Sequence, residues 1–275
     1  MSDRNCIDFL QWALPRLGYR WPGFRKVRGQ VCKRIRRRMQ AFGLPDFTAY
    51  RVHIEREPEE WAILDSFCRI TISRFYRDKA VFQTIGTIMF LDLAARGADE
   101  KRAVRCWAIG CASGEEVYTL RILRDCAIAG TRSNVGLSLL GTDADDRILH
   151  RASAGCYPAG SLKDLPEELT KRCFETRGGQ FCVKPEHRHG ITFARQDIRR
   201  EMPDGPFDLV LCRNVVMTYF EPALQISLMR QISARLVAGG YFVIGAHEAL
   251  PADVGGFESL AACSRIFRSG GLEKG

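Results

Sequence analysis

The sequence predicts an α/β protein in which helices cover a parallel sheet and a separate basic helical segment comes first. Two observations predict this. From about residue 100, short apolar runs alternate with stretches of helical periodicity, which is typical of a parallel sheet covered on both faces. The charge balance also changes sharply after the first fifty residues, which indicates a separate N-terminal unit.

The composition is that of a protein with a sizeable core. The chain has 275 residues, of which 46% are hydrophobic and 27% charged, and this excludes a disordered chain or a coiled coil. No apolar run is long enough to span a membrane, and the charged start lacks a signal peptide, so we expect a cytoplasmic protein. The eleven cysteines include no Cys-x-x-Cys pair, so we predict mostly buried thiols and no metal site.

The first fifty residues hold most of the net charge of +9, because eleven Lys and Arg face only three Asp there. Nine of these basic residues lie between Arg20 and Arg38 with no acid among them. Like charges along one helix are mildly destabilising, so the segment from Arg25 to Arg38 is expected to bind a negatively charged partner. A solvated helix surface is the alternative interpretation.

The predicted elements are justified in chain order by spacing and by the residues that end them. An apolar stripe at Val27, Val31, Ile35 and Met39 predicts a helix that ends before Gly43. Further helices are predicted at 57–67, 115–129 and 145–154 and from Pro222, and buried strands at 104–109, 137–140, 207–212 and 241–244.

A stretch rich in Pro and Gly interrupts the alternation at about residues 158–192. Residues 181–184 and 191–194 within it are predicted to pair as a short antiparallel hairpin in an inserted subdomain. The predicted domains are therefore a basic helical domain over 1–78 and an α/β domain over 79–275 that carries this insertion.

Polar residues follow the predicted strands, where an open parallel sheet binds its ligand. The small residues 110–114 would let a ligand approach the backbone, and Glu115 and Glu116 come directly after them. Two carboxylates at a helix start disfavour a pyrophosphate and suit an ammonium or sulfonium group. Helix capping by one of the two glutamates is the alternative, and the spacing leaves open which one faces a ligand.

The other strand ends carry the remaining candidates. Asp143 lies where an acid commonly binds a ribose diol, with a turn-stabilising role as the alternative. Asp197 and Ile198 could flank an adenine ring. A further candidate set follows the strand at 207–212, namely Cys212, Arg213, Asn214 and Tyr219. Together these features describe S-adenosylmethionine better than a dinucleotide.

Five segments of the chain carry recognisable motifs: 71–77 (TISRFYR), 107–118 (WAIGCASGEEVY), 141–145 (GTDAD), 155–157 (GCY) and 207–220 (FDLVLCRNVVMTYF). In these segments and in their order, the sequence resembles the CheR-type methyltransferases. The resemblance implies a Rossmann-like class I methyltransferase fold with a small all-helical N-terminal domain and an inserted β-subdomain. It also implies methyl transfer from S-adenosylmethionine to glutamate side chains of chemotaxis receptors, as methyl esters.

The resemblance also implies roles for individual residues. Glu116 would hold the methionine portion of the cofactor, Asp143 its ribose, and Asp197 with Ile198 its adenine. Tyr219 would lie near the departing methyl group. The other residues implied to line the cofactor site are Thr71, Ser73, Arg77, Cys212, Arg213 and Asn214, with Arg77 also at the reaction centre. The basic helix would face an acidic receptor region.

The chemistry agrees with this residue set, since a carboxylate nucleophile needs no general base and positioning supplies most of the rate. Arg77 would hold either the substrate carboxylate or the cofactor's own carboxylate. The inserted hairpin is short, which disfavours docking of a receptor tail. Two alternatives remain: a methyltransferase for another protein, a small molecule or a nucleic acid, and a scaffold that binds no cofactor.

Overall fold

The computed structural model describes residues 3–129 and 135–270, which form two compact units. The first unit contains the described residues up to Ile70 and the later segment Val215–Gln225. The second unit contains Thr71–Asn214 and the chain from Ile226 onward. The division therefore falls after Ile70 rather than after residue 78, and a short later segment joins the helical unit.

Helices build the first unit. Those before Ile70 are α1 (Asp3–Ala13), α2 (Trp21–Phe24), α3 (Arg28–Ala41), α4 (Phe47–Arg56) and α5 (Pro58–Cys68). The apolar stripe predicted for α3 is present, because Val31, Ile35 and Met39 are all buried on one face. Asp46 begins α4, where its carboxylate accepts the Ala49 N–H at 2.8 Å and caps the helix.

Several basic residues of the first unit have partners inside the unit. The Arg38 guanidinium donates to both carboxylate oxygens of Glu60, at 3.0 and 2.8 Å, and the Tyr50 hydroxyl donates to Glu60 at 2.8 Å. Arg28 pairs with Asp3 at 3.3 Å. The Arg34 guanidinium donates to backbone carbonyl oxygens instead. The positive charge of α3 is therefore partly compensated by acids that lie far away in the sequence.

The second unit combines helices with two sheets. Its helices are α6 (Lys79–Thr84), α7 (Phe90–Asp99), α8 (Glu115–Ala127), α9 (Asp146–Ala154) and α10 (Glu167–Cys173). Helix α11 (Val216–Tyr219) belongs to the first unit, and α12 (Pro222–Ser233) begins in the first unit and ends in the second. The strands are β1 (Val104–Ile109), β2 (Leu137–Asp143), β3 (Cys156–Tyr157), β4 (Phe174–Arg177), β5 (Gln180–Val183), β6 (Ile191–Arg195), β7 (Phe207–Cys212), β8 (Leu236–Ile244), β9 (Phe257–Leu260) and β10 (Cys263–Ser269).

The main sheet has seven strands in the order β6-β2-β1-β7-β8-β10-β9. The first five strands in that order are parallel, and β10 runs antiparallel to both β8 and β9. All six residues of β7 are buried, as a central parallel strand requires. The predicted parallel sheet is confirmed. The apolar spacing that predicts a helix from Pro222 continues to Leu236, but α12 ends at Ser233 and Leu236 begins β8. The helix is therefore shorter and the last parallel strand longer than expected.

The inserted subdomain is a three-stranded antiparallel sheet in the order β3-β5-β4. The predicted pairing of 181–184 with 191–194 is wrong, because β5 pairs with β4 and β3, while β6 pairs in parallel with β2. Gly178 and Gly179 have φ of +55° and +76°, which is the two-residue hairpin turn that joins β4 to β5.

The cysteines divide into two groups. Seven are free thiols, of which five are buried, as expected for most of the cysteines. The other four are paired as Cys6–Cys32 and Cys156–Cys182, which the sequence analysis did not predict. None of the helices in residues 3–129 and 135–270 combines the length and the apolar composition that a membrane crossing requires.

Candidate functional site

The carboxyl ends of neighbouring parallel strands meet at one edge of the main sheet. Ile109 of β1 is in register with Thr142 of β2 and with Cys212 of β7. The order of strands along the chain reverses between β1 and β7, and open α/β sheets bind their ligands at such a point. The residues that directly follow these strands therefore form the candidate site.

The loop after β1 has an unusual backbone that keeps it close to β2. Gly110, Ala112 and Gly114 all have positive φ, of +64°, +48° and +86°. Ala112 is a non-glycine residue in this region, which costs roughly 1–2 kcal/mol. Its N–H donates to Asp143 Oδ2 at 3.0 Å, which stabilises the loop conformation. A Cβ at Gly114 would lie 2.9 Å from the Phe193 ring, so only glycine fits.

Asp143 is the last residue of β2, at the predicted ribose position. Its Oδ2 accepts the Ala112 N–H and its Oδ1 accepts the Asp145 N–H, both at 3.0 Å. A carboxylate only accepts hydrogen bonds, which is the chemistry that a ribose diol requires. In the structure, Asp143 orders the loop, as the turn-stabilising alternative required.

The two glutamates at the start of α8 have different surroundings. Glu115 is 2% exposed, and its carboxylate accepts the Ser113 hydroxyl at 2.9 Å. The Glu116 carboxylate instead lies 2.5 Å from Arg213 Nη1. Burial raises the pKa of Glu116 above its ordinary value, although Arg213 opposes this shift. Glu116 is thus the glutamate that joins the cluster at the strand ends.

Arg213 lies at the centre of that cluster. Its side chain is only 3% exposed, and its Nη2 lies 2.7 Å from Asp78 Oδ2. The guanidinium also lies over the Phe82 ring, 4.7 Å from the centroid. Burial would lower the pKa of Arg213, but Glu116 and Asp78 outweigh burial and raise it, so the arginine stays charged. Arg213, a predicted site residue, thus lies in a buried ion-pair network with Glu116 and Asp78.

The segment that contains Thr71, Ser73 and Arg77 belongs to the same unit as this cluster. Arg213 Nη2 donates to the backbone carbonyl oxygen of Arg77 at 2.8 Å. The Arg77 guanidinium donates to the Ile72 carbonyl oxygen at 3.2 Å and is half-buried.

The predicted adenine-binding pair follows β6 at the same sheet edge. The carboxylate of Asp197 is paired with the Arg199 guanidinium, at 2.9 Å for Nε and 2.6 Å for Nη2. Ile198 is half-buried beside it. The structure thus gives Asp197 a charged partner that the sequence analysis did not assign.

Two further candidates complete the end of β7. Cys212 is fully buried, so it contributes packing at the strand end. Asn214 has φ +56°, and its N–H donates to Glu248 Oε2 at 2.8 Å. The Gly245 N–H donates to the same oxygen at 2.8 Å. A Cβ at Gly245 would lie 2.9 Å from that carboxylate, so this close approach requires glycine.

Tyr219 is the one predicted site residue that lies in the helical unit. It is the last residue of α11, and its ring centroid is 5.1 Å from that of Phe24. Its predicted place near the departing methyl group stays a prediction.

The sequence profile of the S-adenosylmethionine-binding domain of CheR methyltransferases matches residues 71–266. This region includes every residue of the strand-end cluster, which consists of Glu116, Asp143 and Arg213. The chain belongs to the CheR methyltransferase family. This membership confirms the resemblance, and the seven-stranded sheet is the Rossmann-like class I methyltransferase fold that it implied. The matched region is thus an S-adenosylmethionine-binding methyltransferase domain.

Individual relatives agree with the family profile. The chain is 31% identical over 210 residues to a chemotaxis protein methyltransferase of Listeria innocua, covering 74% of this chain and 76% of that protein. It is 29% identical over 225 residues to chemotaxis protein methyltransferase 2 of Pseudomonas aeruginosa, covering 79% and 77%. An uncharacterized 104.1 kDa protein of Rhodobacter capsulatus is 34% identical over 241 residues, covering 88% of this chain but only 25% of that larger protein.

The chemistry of the candidate site fits S-adenosylmethionine. Carboxylates at Glu116 and Asp143 suit an ammonium group and a ribose diol, and no basic side chain begins α8 to attract a phosphate. The buried Nε of Arg213 has no hydrogen-bond partner within residues 3–129 and 135–270, so the cluster retains one unused donor for an acceptor group.

The sequence analysis missed three residues that shape the candidate site. Asp78 forms an ion pair with Arg213, and Glu248 accepts a hydrogen bond from the Asn214 N–H. The Tyr157 hydroxyl donates to the Ser113 carbonyl oxygen at 2.7 Å. One signal for Asp78 was available, because an arginine directly after a buried strand needs an anionic partner. Nothing in the local sequence pointed from Glu248 to Asn214.

Proposed function

We propose that the protein is a protein-glutamate O-methyltransferase that forms methyl esters on an acidic protein, a chemotaxis receptor in the first instance. The observation that carries the proposal is the strand-end cluster of Glu116, Asp143 and Arg213, which lies inside the region matched to the CheR family. Relatives named chemotaxis protein methyltransferases support the choice of acceptor.

The residues would divide the cofactor among them according to their chemistry. Glu116 binds the methionine ammonium group, and Asp143 accepts hydrogen bonds from the ribose hydroxyls. Asp197 and Ile198 border the adenine, with Arg199 holding the Asp197 carboxylate in place. The remaining residues line the same crevice: Thr71, Ser73, Arg77, Cys212, Arg213 and Asn214.

The reaction would need positioning more than acid–base catalysis. S-adenosylmethionine supplies an electrophilic methyl group on a sulfonium. The acceptor carboxylate is already ionised at neutral pH, so one of its oxygens can form the new O–C bond as the S–C bond breaks and a neutral thioether remains. Arg77 orients a carboxylate by a forked hydrogen bond, and Tyr219 lies beside the transferred methyl group. Neither role requires a proton transfer.

The acceptor would be recognised by charge. Arg25, Lys26, Lys33, Arg36 and Arg37 show no ion pair with any acid in the described part of the chain, unlike Arg28 and Arg38. We call these five residues the basic face; Arg36 is half-buried and the other four are exposed. An acidic protein segment is its complement. The acceptor glutamates would lie in the cytoplasmic region of a receptor, so we place the protein in the cytoplasm.

The test is transfer of labelled methyl groups from S-adenosylmethionine to purified cytoplasmic fragments of receptors from the source organism. Methyl esters are released as methanol in mild alkali, whereas N-methyl groups are not. We expect base-labile label that disappears when the acceptor glutamates are replaced by alanine. Alkali-stable label, or label on RNA or DNA, would contradict the proposal.

A further inference from the structure

The backbone around Arg77 is held in a strained conformation. Tyr76 and Asp78, the residues on either side of it, both have left-handed backbones, with φ of +58° and +65°. Two such non-glycine residues together cost roughly 2–4 kcal/mol, and strain of this kind persists only where the surroundings enforce it.

Arg213 is the group that enforces this turn from one side. A single nitrogen, Nη2, donates to the Arg77 carbonyl oxygen at 2.8 Å and to Asp78 Oδ2 at 2.7 Å. It therefore contacts the backbone of Arg77 and the side chain of Asp78 at the same time. On the other side the Tyr76 N–H donates to Thr119 Oγ1 at 3.3 Å. The direction in which the Arg77 side chain leaves the backbone is thus set by these contacts.

Asp78 differs from Glu116, the other carboxylate on Arg213, in the direction of its pKa shift. Burial raises the pKa of Asp78, but Arg213, the Ala246 N–H at 3.4 Å and Arg77 outweigh burial and hold it below the ordinary value. Glu116 has the opposite shift, since burial raises its pKa. Asp78 is therefore a counterion that Arg213 holds in its charged form.

We propose that Asp78 is a positioning residue, which through Arg213 fixes the turn at 76–78 and so aims Arg77 at the reaction centre. This inference rests on the proposed function only in its catalytic readout. Asparagine tolerates a left-handed backbone and matches the shape of aspartate, so Asp78→Asn removes the charge with little added strain. The matched control is Asp164→Asn, since Asp164 pairs with Arg74 of the same segment at 3.3 Å but lies outside the Arg213 cluster.

The first measurement is amide hydrogen exchange of the cofactor-free protein at residues 72–78. In Asp78→Asn we expect exchange at this segment to accelerate by about tenfold or more relative to the core strands, as local opening becomes easier. The melting temperature should fall as well, because the buried Arg213 loses one of its two charged partners. Asp164→Asn should leave exchange at residues 76–78 unchanged. Unchanged exchange in Asp78→Asn would overturn the proposal. If Asp78→Asn does not fold, Asp78→Glu, which displaces the charge by one methylene, is expected to show the same acceleration.

The second measurement is a double-mutant cycle on kcat/KM. We expect Asp78→Asn to lower kcat/KM by about 30-fold in the wild-type background and by less than about threefold when Arg77 is already lysine, because coupled residues are not additive. Equal losses in both backgrounds would overturn the positioning role. A wild-type protein that transfers no methyl group would instead contradict the proposed function and leave the exchange result standing.

Discussion

Arg213 and Glu116 are 97 residues apart in sequence, yet Nη1 and Oε2 meet at 2.5 Å at the carboxyl edge of the main sheet. The pair joins the start of α8 to the end of β7, so it links the two strand ends between which the chain order reverses. Burial raises the pKa of Glu116, and the ion pair with Arg213 opposes that shift.

Glu116→Gln is expected to weaken the binding of S-adenosylhomocysteine by about 10- to 100-fold, because the amide loses a charged contact to the ligand ammonium. Titration calorimetry measures this directly. The matched control is Glu115→Gln, because the buried Glu115 carboxylate accepts a hydrogen bond from the Ser113 hydroxyl. We expect this variant to lower the melting temperature and to lose less affinity than Glu116→Gln. A larger loss of affinity in Glu115→Gln would assign the ligand to the other glutamate.

Arg77→Ala is expected to lower kcat/KM by more than about 100-fold while the protein stays folded. The side chain contributes a single described hydrogen bond, to the Ile72 carbonyl oxygen, so its loss costs little stability. Initial rates of methyl transfer and a thermal melt check the two parts. Near-normal turnover in this variant would contradict the assignment of Arg77.

The positions of these residues show what the sequence could predict. The loop at 110–116, Asp143 and Arg213 each directly follow a buried apolar run, and a parallel sheet must bring such ends together. Asp78 lies 135 residues from its partner Arg213, and Glu248 lies 34 residues from its partner Asn214. No local spacing in the sequence connects either pair. The compensation of Arg38 by Glu60 was invisible for the same reason.

The error in the inserted subdomain has a different origin. Gly178 and Gly179 form a two-residue turn, and two such glycines between strand-like runs predict a hairpin with equal arms on either side. That signal was present, but Ile191–Arg195 has an equally strand-like sequence. Its pairing with β2 depends on the tertiary fold, which the short-range pattern does not contain.

We expect the His187–Asp125 pair to make the stability of the protein depend on pH. His187 Nδ1 lies 2.8 Å from Asp125 Oδ2, with Arg121, Arg124 and Cys173 as the other polar neighbours of the pair. Asp125 is held in its charged form, because His187 and the two arginines outweigh burial and lower its pKa. The hydrogen bond to Asp125 raises the pKa of His187 from 6.5 to about 9.

Since the folded-state pKa of His187 is raised, its stabilisation is fully present below pH 6.5 and is lost as the pH rises through about 9. The shift corresponds to about 3 kcal/mol, or several degrees in melting temperature. The melting temperature plotted against pH should therefore fall more steeply for the wild type than for His187→Gln as the pH rises through about 9. The control is His150→Gln, whose ring is 80% exposed beside Asp146. Parallel curves for the wild type and His187→Gln would refute the prediction.

Charge reversal on the basic face should weaken binding of an acidic acceptor. We expect the double variant Lys33→Glu/Arg37→Glu to raise KM for the protein substrate by about tenfold at low salt, with little change in kcat, because exposed charges act through association. The matched control reverses two exposed charges elsewhere, at Lys163 and Arg230. Equal effects of both double variants would mean that net charge alone matters.

The most direct test of the central claim is calorimetric titration of the wild type and of Asp143→Asn with S-adenosylhomocysteine. The carboxylate of Asp143 accepts the Ala112 N–H that orders the loop, and both the loop and the ribose contact should fail in the variant. We predict a dissociation constant on the order of micromolar for the wild type and a loss of about 30-fold or more for Asp143→Asn. Absence of binding to the wild type, or unchanged affinity in Asp143→Asn, would contradict the account.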